Sequence, residues 1–334
     1  MSLIERLRAR WVPIDWIAAA YTVWMGLLIA WYSAPVPEWR RLLLIHLGIV
    51  LTLMIIPPRG APWEERRWRW LWQRVLHELV RFVRHAYPLL LALFFFEEGQ
   101  FTVNMIFPET PYWFEPHLYA ADAAIFGDVP VRLMHGWVTP WLTEGMHFFY
   151  FSYYIILIGG TALAYVGYRR QQQPLKTPAP GFEETITSLG LAFILAFAAY
   201  PWLAARGPWE NPQLMAEMVP MRGWLFTWMM DRIIEHGAVS GNCFPSGHVA
   251  GAWAIVFGLA WTRGHRTMAY VGAFLAAGMT VACVYTRYHH AVDMPAGFVC
   301  GALGALIGGG LVRRRRGRAD VYSLLPARTR GRRS

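Results

Sequence analysis

The apolar residues of this chain are gathered into runs of roughly 16–22, long enough to cross a bilayer or nearly so. They fall at about Ile14–Tyr32, Leu42–Ile56, Ala86–Phe107, Glu144–Tyr168, Thr185–Ala204, His248–Thr262, Thr267–Tyr285 and Val292–Val312, the second and sixth being short. Composition agrees: 56% of the 334 residues are hydrophobic and only 16% are charged, fewer than a soluble chain of this length carries. The expected fold is all-α, a polytopic membrane protein of about eight transmembrane helices.

The formal net charge of +10 is almost all arginine, and Lys176 is the one lysine. A basic excess can signal nucleic acid, but in a membrane protein it marks the cytoplasmic loops, and no nucleic-acid partner is expected. With the N-terminus inside and the chain alternating, only Arg40, Arg41, Arg132, Arg206, Arg222, Arg232 and Arg287 fall outside. The sequence therefore places both termini in the cytoplasm of a multi-pass protein of the cell (inner) membrane. The first span reads as a retained anchor, because no convincing small-x-small cleavage site follows it.

Three regions are expected: residues 1–85, anchor helices with a cytoplasmic loop; 86–312, a catalytic membrane domain; and 313–334, an Arg-rich tail lying against anionic headgroups. Trp and Arg alternate through Pro57–His85 (Trp63, Trp68, Trp70, Trp72 with Arg66, Arg67, Arg69), which suggests an amphipathic helix in the headgroup layer. The aromatic segment Pro108–Pro140 reads as a surface element roofing an outer cleft, and Arg169–Gly181 as a linker.

Two short stretches carry chemistry. In Thr286-Arg287-Tyr288-His289-His290-Ala291-Val292-Asp293, His289 precedes Asp293 by four. On one helix that spacing puts both side chains on one face, where the carboxylate fixes the imidazole tautomer and frees the other nitrogen to attack. The alternative is that Pro295 marks the first helical turn and leaves His289 just outside it. In Phe244-Pro245-Ser246-Gly247-His248 a helix start is expected, with Ser246 as N-cap, free backbone N–H groups for an anion and Gly247 allowing close approach. His248 would stand beside that anion, able to protonate a leaving oxygen.

Small residues recur after each motif: Gly247 and Gly251, then Gly297 and Gly301, with Gly304 and Gly308 beyond. Such faces let membrane helices pack closely, so the sixth and eighth spans are expected to touch and bring His248 to His289 on the extracytoplasmic side. A phosphoryl group needs positive partners, and Arg206 and Arg287 are the candidates. Glu97, Glu98 and His147 are expected to line the outer cleft. Cys243, Cys283 and Cys300 show no ligand spacing, so neither a disulfide framework nor a metal site is expected.

These residues give the chain a likeness. It resembles the type-2 phosphatidic acid phosphatase superfamily, in the inositol phosphorylceramide synthase-like (inositolphosphotransferase) branch. The likeness covers roughly Tyr119 to Gly310 and includes Asp122-x3-Phe126-Gly127, Ala205-Arg206-Gly207-Pro208, Phe244-Pro245-Ser246-Gly247-His248 and Tyr288-His289-x3-Asp293-x3-Gly297. The resemblance implies a six-helix catalytic bundle and a membrane phosphotransferase or phosphatase acting on lipid phosphates. His289 would be the nucleophile that becomes phosphohistidine, Asp293 its orienting partner and His248 general acid, then base. Arg206 and Arg287, with Ser246 and Gly247, would hold the phosphate, and no cofactor or metal is implied. Cys283 stands where the phosphatase branch has arginine, no lysine precedes Arg206 at the phosphatase spacing, and His290 replaces a usual aromatic. Either histidine of that pair could be the active one; the distance to Asp293 favours His289. The acceptor, water or an alcohol, stays open.

A serine hydrolase on Ser246 lacks the Gly-x-Ser-x-Gly elbow, since Phe244 stands two residues before the serine. A lipid transporter or structural membrane protein is the non-enzymatic alternative.

Overall fold

The computed structural model describes residues 2–55, 71–171, 181–261 and 266–324. The amino-terminal helices are α1 (Leu3–Arg10), α2 (Pro13–Trp31), α3 (Trp39–Ile55) and the 32-residue α4 (Leu71–Thr102). A loop region then carries α5 (Glu115–Phe126) and the short α6 (Pro130–Leu133). Next, α7 (Pro140–Tyr154) passes through a π-helical turn at Ile155–Gly159 into α8 (Gly160–Gln171), and α9 (Phe182–Ala199) follows. A second loop region holds α10 (Pro212–Ala216) and α11 (Leu225–Gly237). The chain ends with α12 (Gly247–Ala260), α13 (Arg266–Tyr285) and α14 (Asp293–Leu303), the last running through a π turn at Gly304–Gly308 into α15 (Gly309–Leu324).

The described residues contain no strand, only an isolated bridge between Ala205 and Asn242. Among the described residues, six helical stretches are long and apolar enough to cross a membrane: Pro13–Trp31, Val75–Thr102, Pro140–Gly167, Phe182–Ala199, Arg266–Tyr285 and Asp293–Gly317. The protein is thus an all-α, multi-pass membrane protein. The two short apolar runs of the sequence form α3, of 17 residues, and α12, of 14.

Helix boundaries differ from the sequence reading at one place that matters. Residues 71–85, expected as part of a separate surface helix, form the first half of α4. Trp72 is exposed there; Trp63, Trp68, Trp70, Arg66, Arg67 and Arg69 lie outside the described residues, as do most of the linker and the last ten residues of the tail.

At the centre stands α9, buried along nearly its whole length because its neighbours α2, α4, α12, α14 and α15 surround it. Glycine explains how they come so close, though with other partners than expected. Gly297 and Gly301 do face α12: a Cβ on Gly301 would lie 2.8 Å from Ala250 O. Gly247 and Gly251, however, face Phe197 and Phe193 of α9, and Gly304 and Gly308 rest on Ser188, Ala192 and Thr187 of that same helix. The stripe on α14 therefore serves two helices in succession. At Gly304 an added Cβ would lie 2.6 Å from Ser188 O and 2.7 Å from Ala192 Cβ, with no flexible side chain to move aside. Gly304→Leu is expected to destabilise the bundle by about 1–3 kcal/mol, seen as a lower unfolding midpoint in detergent. Gly310→Leu, with nothing within 4 Å, should be neutral.

Two buried polar contacts tie the amino-terminal helices together. Arg84 pairs with Asp15 at 3.1 Å, and Tyr87 donates to the same carboxylate at 2.6 Å. Glu98, expected to line a cleft, is instead buried with its Oε1 3.3 Å from His46 Nε2, while Glu97 points outward. His147 is likewise buried, with Nδ1 near Thr143 O and Thr227 Oγ1. None of the three lines the cavity described next.

Candidate active site

The loop that carries His289 is shaped by the way α13 ends. Arg287 takes a left-handed backbone, φ 67°, which is uncommon outside glycine. Its N–H bonds Val284 O at 3.0 Å, and His289 N–H reaches back to Cys283 O at 3.1 Å. This hook sends His289 inward before α14 begins at Asp293. His289 and Asp293 consequently do not share a helical face. The pair forms because Asp293 Oδ2 lies under the loop, 3.1 Å from His289 Nδ1, and also accepts His290 N–H at 3.0 Å.

The second motif folds as its residue types dictate. Ser246 caps α12, its hydroxyl accepting Val249 N–H at 3.4 Å, and the N–H groups of Gly247 and His248 open the helix. His248 Nδ1 lies 3.4 Å from His289 Nε2, and Ser246 Oγ is also 3.4 Å from that nitrogen. Tyr150 OH stands 3.2 Å from His248 Nε2, and Tyr153 packs edge-on against the ring. One hydrogen-bonded order satisfies all of these groups. Tyr150 donates to His248 Nε2, His248 Nδ1–H faces His289 Nε2, and His289 Nδ1–H faces Asp293.

Cys243 joins this cluster, which the sequence did not reveal. Its thiol donates to Asp293 Oδ2 at 2.8 Å and lies 3.4 Å from His289 Nδ1. Sγ, Nδ1 and Oδ2 fall within 4.8 Å of one another, a spacing that could hold a metal ion. The separations are those of hydrogen bonds, however. Burial, with the Asp293 charge added, pushes the thiol pKa well above its ordinary value. Asp293 Oδ2 thus accepts from sulfur, ring and backbone.

The loop is braced from α5. Asp122 is fully buried and accepts Ala291 N–H at 3.1 Å and Val292 N–H at 3.0 Å. Its carboxylate also lies 3.6 Å from His290 Nδ1, and His290 Nε2–H donates to Arg206 O at 3.2 Å. Burial lowers the His290 pKa, but Asp122 and the Asp293 charge outweigh it and raise the net value. His290 is therefore a bracing group, packed edge-on against Tyr119, while His289 faces the open space. Asp122→Ala would strand two buried N–H groups and an imidazole. The expected result is a loss of about 2–4 kcal/mol of stability together with a fall in turnover, read from thermal unfolding and initial rates of one preparation.

That open space is a cavity of about 480 Å3. One wall carries His248, His289, Tyr288, Gly247, Cys243, Gly207 and Glu210; the rest is mostly apolar, from Leu89, Leu93 and Phe96 of α4, Leu157 and Ile158 of the π turn, and Phe193 and Phe197 of α9. The roof differs from expectation. Residues 108–140 do not line it, and Ile233, Ile234 and Gly237 of α11 do.

Arg206 and Arg287 stand outside the cavity wall. Arg206 pairs with Glu115 through two bonds, Nε–Oε2 at 2.8 Å and Nη2–Oε1 at 3.2 Å, and lies over the Tyr112 ring. Its side chain keeps 36% exposure. Arg287 is buried and donates to Val219 O at 2.8 Å; burial pushes its pKa below the ordinary arginine value.

Fold and site together define a helical membrane protein whose two histidine motifs, far apart in sequence, line one largely apolar cavity. Residues 116–307 match the PAP2 superfamily, more than half of the chain, and the chain belongs to that superfamily. It is accordingly an enzyme of the phosphatase/phosphotransferase class. No curated protein and no solved structure matches it.

Proposed function

We propose that this protein is a metal-independent lipid phosphotransferase of the inositolphosphotransferase-like kind, working through a phosphohistidine on His289. The observation that carries this reading is the cavity itself, with paired imidazoles on one wall and hydrocarbon on the others. A lipid donor would lay its chain along Leu93, Leu157 and Ile158 and bring its phosphorus to His289 Nε2. Attack forms the N–P bond and breaks the bond to the lipid oxygen, which takes a proton from protonated His248. In the second half, His248 removes a proton from the acceptor hydroxyl, the acceptor oxygen bonds to phosphorus, and the N–P bond breaks.

The remaining groups suit the charge involved. The first N–H groups of α12 and the Ser246 hydroxyl would meet the phosphoryl oxygens. Arg206, exposed enough to exchange Glu115 for a phosphate, would add positive charge, with Arg287 behind it. Asp293, accepting on Oδ2 alone among the described residues, favours the cationic phosphoimidazole. The apolar walls limit water, which favours an alcohol acceptor over hydrolysis. The distribution of arginine supports a reading with both termini in the cytoplasm and this site on the outer face of the cell membrane.

The test is incubation of purified protein with phospholipids labelled in the phosphate, with and without inositol, diacylglycerol or ceramide and with a chelator present. A labelled new lipid marks the transferase, and free phosphate marks a phosphatase instead. Acid-labile label on His289 should accompany either. No product and no trapped label under any condition would end the proposal.

A further inference from the structure

The wall that holds the histidines also holds a carboxylate, and it has no business there if the site takes any phosphate indiscriminately. Among the described residues, Glu210 is the sole acidic one lining the cavity, and no Arg or Lys lines it. It ends the 3-10 turn Pro208–Glu210, directly after Arg206 and Gly207. That turn is clamped to the nucleophile loop: Trp209 N–H donates to Arg287 O at 2.9 Å, and Gly207 sits so near Tyr288 O that an added Cβ would lie 2.2 Å from it. The carboxylate is held from both ends. Gly207 N–H donates to Oε1 at 3.1 Å, and the Ser240 hydroxyl donates to Oε2. The carboxylate is therefore fixed in the same cavity lining as His248 and His289, among largely apolar walls.

We infer that Glu210 is a charge filter, selecting a singly charged lipid phosphodiester as donor over a doubly charged phosphomonoester. This deepens the phosphoryl-transfer reading and rests on it. A phosphodiester brings one negative charge; a phosphomonoester above about pH 6 brings nearly two. The extra charge meets Glu210 across a poorly screened gap, and in such surroundings one unit charge shifts binding by an order of magnitude or more. Among the described residues no Arg or Lys lines the cavity, and the charge of Arg206 is divided between a bound phosphate and two carboxylates, Glu115 and Glu210. Phosphodiester transfer leaves the headgroup on the phosphorus, so the histidine intermediate also carries the smaller charge.

The simplest alternative is that Glu210 only braces the turn. Glu210→Gln separates the two roles. The amide oxygen can still accept Gly207 N–H, and the amide NH2 can donate to Ser240 once its hydroxyl rotates, so the brace survives while the charge goes. The experiment compares kcat/KM of wild type and E210Q at about pH 8 for two probes of identical acyl chains, a diacylglycerol phosphomonoester and a phosphodiester with a neutral headgroup. The filter predicts that E210Q raises the monoester relative to the diester by about tenfold or more. It also predicts that wild-type preference for the diester weakens as pH falls through about 6 and that E210Q loses this dependence. A ratio moved less than about twofold, or a parallel fall on both probes, would overturn the filter and leave a brace. Failure of either lipid to label His289 in wild type would overturn the phosphoryl-transfer reading itself, and the filter with it.

Discussion

Replacing His289 with glutamine is expected to lower turnover by roughly 10^4-fold or more, and to remove all acid-labile label from the protein. Glutamine keeps similar length and a donor for Asp293, so the Cys243 and His290 contacts to that carboxylate remain available. What it lacks is a nitrogen lone pair able to bond phosphorus. Hydrolysis through direct attack of water would then have to proceed inside a cavity whose walls are mostly hydrocarbon. Residual activity within tenfold of wild type would mean that His289 is not the nucleophile. His290 does not offer a substitute, because its two nitrogens face Asp122 and Arg206 O.

His248→Ala should produce the second-largest effect, with a different signature. A general acid and base of this kind contributes about 10^2–10^4-fold. The contribution is needed only when the departing oxygen is basic. A lipid analogue with an aryl leaving group needs no proton, so its first step should fall far less, and label should accumulate on His289 because acceptor activation is also lost. Equal losses with alkyl and aryl donors would show that His248 merely packs against Tyr150 and Tyr153. Burst kinetics with the aryl donor would separate the two steps.

How much of this was open to sequence reading depends on the range of the interaction. Hydropathy is local, and the positions of the apolar helices, down to the two short ones, follow from it. The motifs His248 and His289 are local as well, each written within a few residues of a helix start or end. Their meeting at 3.4 Å was expected from glycine faces, yet Gly247 and Gly251 turn to α9, and only Gly297 and Gly301 make the anticipated contact. A stripe of small residues says that something approaches, not which helix. Asp122 braces a loop 169 residues away through backbone N–H groups that any residue would present, so the string holds no mark of that partnership. The same is true of Cys243, separated from Asp293 by 50 residues. Pro295 did carry usable information, since a proline in the first turn limits how far α14 can extend back toward His289. Glu98 was misplaced because a carboxylate in an apolar run suggests a wet pathway, while its actual partner, His46, lies on another helix.

The flank of the cavity has a consequence for how such an enzyme would be assayed. Leu93 and Ile158 belong to its lining, yet they are 61% and 63% exposed, so the chamber opens sideways onto the hydrocarbon that bathes the bundle. A molecule arriving there never leaves the two-dimensional phase in which it is dissolved. Velocity would then track the mole fraction of donor in the bilayer or micelle, and adding inert detergent would slow the reaction at constant bulk concentration.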